Sequence, residues 1–282
     1  MITIGLTGWS DHELLVTHKS RKLEDYATHF PFVELDTSFY AIPPAKNILS
    51  WIEKTPDAFQ FIPKAFQAMT KHKEWLDFFP SEEAMFQQYL ATFEPMISAH
   101  RIKAFLFQFP PFFHYSEENL SYLRNIRQWM GDLPVAVEFR HFSWFNEENQ
   151  PLTLTFLEQQ QFIHAVIDQP QTPGNSIPMI ATATNKELTL LRLHGRNYEG
   201  WLHANGPDWR EKRTFYDYSQ AELASFVPII HALEKDSKEV AVIFNNNSGG
   251  HAAANAKYLQ KMLDLTFDQL GPQQLDLNLF DD

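Results

Sequence analysis

Short apolar runs in this chain repeatedly end in residues that could do chemistry. FVELDTSFY carries Glu34, Asp36 and Tyr40, FQFIPK ends in Lys64, and AFLFQFPP contains Gln108. VAVEFRH carries Glu138 and Arg140, LTLLRLHGR carries Arg192, His194 and Arg196, and VIFNNN ends in Asn245 and Asn246. His194 is the candidate general acid or base, because its ordinary pKa lies nearest neutrality. Glu138 could share the proton transfer, and Asp36 could orient a water or a metal. Lys64, Arg140, Arg192 and Arg196 could clamp a phosphate or carboxylate, the arginines bidentately. Gln108, Asn245 and Asn246 offer both donors and acceptors. Trp9, in TGWS, could stack on a ring, and Tyr40 and Tyr216 could hydrogen-bond a ligand.

Other chemistries compete for the same residues. Glu138 with Asp36 or Glu34 makes a carboxylate pair of the kind glycoside hydrolases use. Asp36, Glu138, Asp168 and His194 could hold a divalent metal. No HxH or HExxH spacing supports one, so the cofactor stays unknown and no metal is required. The structural alternative is an internal ion-pair network, with Glu138 on Arg192 and Glu34 on Arg140. His72 and His203 read as surface-loop residues.

The runs that carry these residues read as eight buried strands, near 2–6, 32–36, 59–64, 104–109, 135–139, 162–167, 188–194 and 240–245. Helical stretches separate them. Ser81 and Ser116 cap helices over 82–100 and 117–130, and Ser219 with Glu222 forms a capping box opening 220–235. Gly249-Gly250 opens a last helix near 251–264. Alternating strands and helices favour parallel pairing. Eight such units predict an α/β fold, a single-domain (β/α)8 TIM-type barrel over residues 1–264, with a short C-terminal tail over 265–282. Side chains two apart share a face of a strand. That parity sends Glu34, Asp36, Lys64, Gln108, Glu138, Arg140, Arg192 and His194 inward at the C-terminal mouth. Long connections at 65–81 and 196–218 carry aromatics that would wall the pocket. Segment 169–186 is polar and proline-bearing, an irregular substitute for a helix.

Composition limits what the mouth can meet. The 282 residues hold no cysteine, which excludes disulfides and thiolate chemistry and suits the cytoplasm. The N-terminus lacks a basic region and a long apolar stretch, so no signal peptide is expected. No apolar run reaches membrane-spanning length, and no membrane partner is expected. Net charge is −12, which repels nucleic acid globally even if the mouth is locally positive.

Several stretches together resemble the DUF72 (YecE-like) barrel family. They are IGLTGWS at 4–10, FVELDTSFYAIP at 32–43, WIEKTPDAFQFIPKAFQAMT at 51–70, FLFQFPPFF at 105–113, VAVEFRHFSW at 135–144, LLRLHGR at 190–196 and VIFNNNSGGHAAANA at 242–256. The resemblance implies a TIM-type barrel. It also implies likeness in shape to endonuclease IV-like barrels, and through them a phosphate-bearing small molecule or nucleic acid as partner, bound or hydrolysed. Those barrels hold a metal cluster on many histidines and acids. This chain has too few strand-end histidines for a three-metal mechanism. Where the family has asparagine after its strand-2 Glu-Xaa pair, this chain has Asp36.

Gly271-Pro272 breaks the chain after the last helix, and LGPQQLDLNLFDD follows. Gln274, Leu277 and Leu279 fit a Q-x-x-L-x-L pattern similar to bacterial sliding-clamp-binding peptides, in which apolar side chains fill a pocket. That pattern would tie the barrel to DNA replication or repair. The alternative is a tail strand folded back over the barrel.

Overall fold

The computed structural model describes residues 1–174, 176–203 and 208–272. The strands are β1 (Ile2–Thr7), β2 (Phe32–Leu35), β3 (Gln60–Pro63), β4 (Phe105–Gln108), β5 (Val135–Glu138), β6 (Ile163–Asp168), β7 (Leu188–Leu193) and β8 (Glu239–Phe244). The α-helices are α1 (Lys22–Ala27), α2 (Thr37–Tyr40), α3 (Ala45–Glu53), α4 (Glu82–Ser98), α5 (Glu117–Met130), α6 (Asn149–Gln159), α7 (Tyr198–Leu202), α8 (Trp209–Thr214), α9 (Gln220–Glu234) and α10 (His251–Met262). The strands pair in parallel in the order β3-β2-β1-β8-β7-β6-β5-β4. Parallel bridges from Phe61 to Ile102 and from Lys64 to Leu106 join the outer strands. The ring is therefore a (β/α)8 barrel, as the alternation predicts.

Strand parity divides the interior into two cores. Val33, Leu35, Phe107, Val137 and Leu191 face outward into the helix layer. Phe32, Ile62, Leu106, Ala136, Leu190 and Ile243 form a separate cluster along the axis. Two residues further along each of these strand segments stand Glu34, Lys64, Gln108, Glu138, Arg192 and Asn245. A polar tier thus rests directly on an apolar one. Gly5 makes room for the apolar tier, because a Cβ there would lie 2.6 Å from the Phe32 ring.

The N-terminal end of the barrel carries its own ion pair. Lys103 Nζ donates to Glu239 Oε1 at 2.6 Å, and the Thr3 hydroxyl donates to the same oxygen at 2.5 Å. Lys103 Nζ also lies 5.0 Å from the centroid of the Phe32 ring.

Helix starts follow the capping signals. Ser81 and Ser116 accept from the backbone N–H of Ala84 and Asn119, and the Ser219–Glu222 box is formed. Among the described residues, 169–187 holds no helix. The 196–218 connection is not a plain loop, since it folds into α7 and α8 over the mouth. Among the described residues no helix is long and apolar enough to cross a membrane.

Candidate functional site

Arg192 lies at the centre of the polar tier. It is fully buried, as are Glu34 and Glu138. Its Nε and Nη2 donate to the two oxygens of Glu34 at 2.9 and 2.6 Å, and Nη1 donates to Glu138 Oε2. Arg192 therefore takes both carboxylates, and Glu34 pairs with it rather than with Arg140. One cation can do this because its fork is planar and it points inward from β7, which lies two strands from β5 and three from β2 in the ring. The two carboxylates diverge in acidity. Burial raises Glu34, against the pull of Arg192. Glu138 is also desolvated, but Arg140, Arg192 and His194 hold it well below the usual carboxylate range.

Arg140 and His194 complete the tier. Arg140 Nη2 lies 2.5 Å from Glu138 Oε1, and His194 Nε2 lies 3.2 Å from the same oxygen. Neither contact is aligned as a hydrogen bond, and Glu138 Oε1 has no such partner among the described residues. Arg140 Nη1 donates to Gln169 Oε1 at 3.1 Å. His194 Nδ1 faces Asn245 Nδ2 at 2.8 Å. Burial pushes His194 down to about 3, and Arg140 and Arg192 add to the effect. The ring is neutral at physiological pH. Nε2 faces the guanidinium nitrogens of Arg192 and Arg140 at 3.3 and 3.4 Å as well as Glu138.

Above this tier opens a cavity of about 480 Å³. Lys64, Gln108, Arg140, His194, Asn245 and Tyr40 line it, so most of the residues that sequence places at the mouth do meet there. Lys64 Nζ lies 3.1 Å from Asp36 Oδ1, which also lines the cavity. The wall comes from α7 and α8, which contribute Trp201, Trp209 and Arg213. The Arg213 guanidinium lies 3.7 Å from the Trp201 ring centroid, and that of Arg140 lies 4.9 Å from the same ring. Among the described residues the Arg213 side chain has no carboxylate partner and no hydrogen bond. Burial, with Arg140 and Arg192 nearby, holds its pKa well below the usual guanidinium value. Among the described residues it is a cation without a counter-ion, and it borders an open cavity.

Other expected site residues lie elsewhere. Gly195 turns the chain with φ +82°, so Arg196 leaves the axis toward α9. There Arg196 grips Asp168 at 2.8–3.0 Å and meets Glu222 at 3.3 Å. Tyr216 donates to Glu222, and Tyr218 donates to Asp168 while accepting from the Gly195 N–H. Arg196 and Tyr216 thus form a lateral latch and do not line the mouth cavity. Asn246 is buried and donates to the Tyr216 carbonyl and to Asn255 Oδ1, holding the same segment down. Trp9 packs edge-on against Trp51 at 5.5 Å and lines a side pocket rather than the main cavity. Gln274, Leu277 and Leu279 lie outside the described residues.

The family described as "Protein of unknown function DUF72" matches residues 3–277. The chain belongs to the DUF72 family. It is 45% identical to the UPF0759 protein YunF of Bacillus subtilis, over 98% of this chain and 100% of that one. The UPF0759 protein YecE of Escherichia coli is 27% identical over 85% of this chain and 93% of its own. A crystal structure of a DUF72 family protein from Enterococcus faecalis superposes with a TM-score of 0.92 at 42% identity, covering 98% of this chain and 100% of that one. One from Thermotoga maritima gives 0.79 at 32% identity, covering 94% and 100%.

The donors of this DUF72 mouth do not suit a metal cluster. Glu34 and Glu138 are committed to Arg192, and Asp168 to Arg196 and Tyr218. Among the described residues no three histidine or acidic side chains converge as a metal site. Sequence reading also misses residues of the DUF72 mouth. His72 does lie in a loop, but it is half-buried, lines the cavity and packs edge-on against Phe39 at 4.9 Å. Burial and the cations Lys64 and Arg140 lower it to about 4. His203 is exposed, as expected. Arg213 carried one legible signal, its i,i+4 spacing from Trp209, which puts both on one face of a helix.

Proposed function

We propose that the barrel mouth binds a small phosphate-bearing molecule. Arg213 carries this reading, because a half-buried guanidinium with no counter-ion among the described residues, over an open cavity, is stabilised by an incoming anion. Arg140 and Lys64 line the same cavity and would share the charge. The cavity, about 480 Å³, falls within the range of small-molecule sites. A net charge of −12 disfavours a long polyanion, so a small ester is preferred to nucleic acid.

Hydrolysis has less support than binding. Glu138 is held ionised between two arginines, and His194 is neutral, with both ring nitrogens engaged. These two hold Arg140 in place rather than moving protons. The glycosidase-like pairing is disfavoured too, because Glu34 and Glu138 share one arginine.

Thermal melting with inorganic phosphate, and separately with a 20-mer single-stranded DNA, tests the reading. Phosphate at 100 times Kd should stabilise the wild type by about 2.7 kcal/mol. Arg213→Met should lose most of that gain, and the oligonucleotide should give none. The reading fails if phosphate leaves the wild type unchanged, or stabilises the variant equally.

A further inference from the structure

A second, smaller cavity of about 180 Å³ adjoins the mouth, and Asp11, Asp36 and Asn247 line both. Thr7, Trp9 and Glu34 form its other walls. It lies below the usual volume of a complete small-molecule site, which suits one part of a larger ligand. Two buried polar atoms here lack partners among the described residues, Thr7 Oγ1 and Asn247 Oδ1. Thr7 is 2% exposed. Asn247 Nδ2 donates to the Thr7 carbonyl at 2.7 Å, which fixes its amide with Oδ1 left over. Unsatisfied buried polar atoms are rare, and each one calls for a partner.

The chemistry of this pocket differs from that of the mouth, where Lys64, Arg140 and Arg213 accompany Asp11, Asp36 and Glu211. It offers a hydroxyl, an amide oxygen and the carboxylates of Asp11 and Asp36, beside the Trp9 ring. Acceptors of this kind repel a phosphate and match hydroxyl groups, while an indole face suits the C–H face of a sugar. The Lys64–Asp36 pair marks the boundary, with Lys64 on the cavity side and Asp36 shared.

We infer that the Thr7–Asn247 pocket is the subsite for the hydroxyl-bearing part of a phosphorylated sugar or polyol, whose phosphate sits at Arg213, Arg140 and Lys64. This inference rests on the phosphate reading and names its substrate class. Donors on the ligand meet Thr7, Asn247 and Asp11.

Isothermal titration with inorganic phosphate, ribose, ribose 5-phosphate and phosphoethanolamine tests it. The wild type should bind ribose 5-phosphate at least tenfold more tightly than phosphate or phosphoethanolamine. Thr7→Val should weaken ribose 5-phosphate about fivefold, the worth of one hydrogen bond, and leave phosphate unchanged. Asp11→Asn, at an exposed position, should act in the same direction and serves if Thr7→Val does not fold. Equal affinity for phosphate and ribose 5-phosphate overturns the subsite and leaves the phosphate reading standing. So does an unchanged ratio in the variants. Tighter binding of phosphoethanolamine overturns it in favour of an ammonium pocket. Binding of ribose alone, lost in Thr7→Val, with no response to phosphate, keeps the sugar pocket and removes the phosphate reading. No binding of any probe removes both.

Discussion

Arg213 lies over the ring of Trp201, its guanidinium carbon 3.7 Å from the ring centroid. A cation over indole gains about 0.5–2 kcal/mol, which offsets part of its desolvation but supplies no counter-charge. We therefore expect Arg213→Met to leave the ligand-free protein as stable as the wild type, or up to about 1 kcal/mol more stable. Urea denaturation without added anion checks this. A loss of more than about 2 kcal/mol would show that Arg213 is structural.

Arg192 neutralises two fully buried carboxylates. Its replacement by methionine leaves Glu34 without its cation and Glu138 with Arg140 alone. We expect a loss of about 3–5 kcal/mol in denaturant unfolding. Adding Glu34→Gln to Arg192→Met should recover part of that loss, because the stranded charge is then gone. If the double variant is less stable than the single one, the stranded carboxylate is not the cause.

Stability should fall with acid before the carboxylates titrate. Burial holds His194 at about 3, and His164 and His72 at about 4. In the unfolded chain each ring titrates near 6.5. Between these limits the unfolded state binds more protons, so the contribution is complete above about pH 6.5 and is lost as pH falls. Near pH 5 these three rings give a slope approaching about 4 kcal/mol per pH unit, at about 1.4 per proton. Urea midpoints at pH 7.5, 6 and 5 measure it, and His164→Asn should lower the slope by roughly a third. A midpoint that does not move between pH 6 and 5 contradicts the assignment.

Gly195 holds a left-handed backbone with φ +82°, and a Cβ there would lie 2.6 Å from Tyr216 Cβ. Gly195→Ala should cost about 1–3 kcal/mol. It should also disturb the 196–218 segment that carries Trp201 and Trp209. A shift in tryptophan emission accompanying the stability loss would report both. Wild-type emission together with wild-type stability would mean that the turn tolerates a side chain.

Much of the barrel was legible because its signals are periodic. Alternation along a strand assigns Val33 and Leu35 outward and Glu34 inward, so the polar tier follows from spacing alone. Parity fails where the strand ends. β7 stops at Leu193 and Gly195 turns the chain, so Arg196 joins Asp168 instead of the mouth. β8 stops at Phe244, and consecutive Asn245 and Asn246 face different sides. Pairing partners were not legible either, since Glu34 and Arg140 share an axis but Arg192 takes Glu34 first. His72 and Arg213 sit on connections whose direction no period fixes, and their places depend on packing against Phe39 and Trp201.

The Lys103–Glu239–Thr3 closure, together with the Phe32 ring above it, makes the barrel a blind well. Nothing can pass through the axis from end to end. A guest enters and departs by one opening, beneath α7 and α8, so arrival and exit share a single gate. A reactant and its successor could therefore never pass through the shaft in single file.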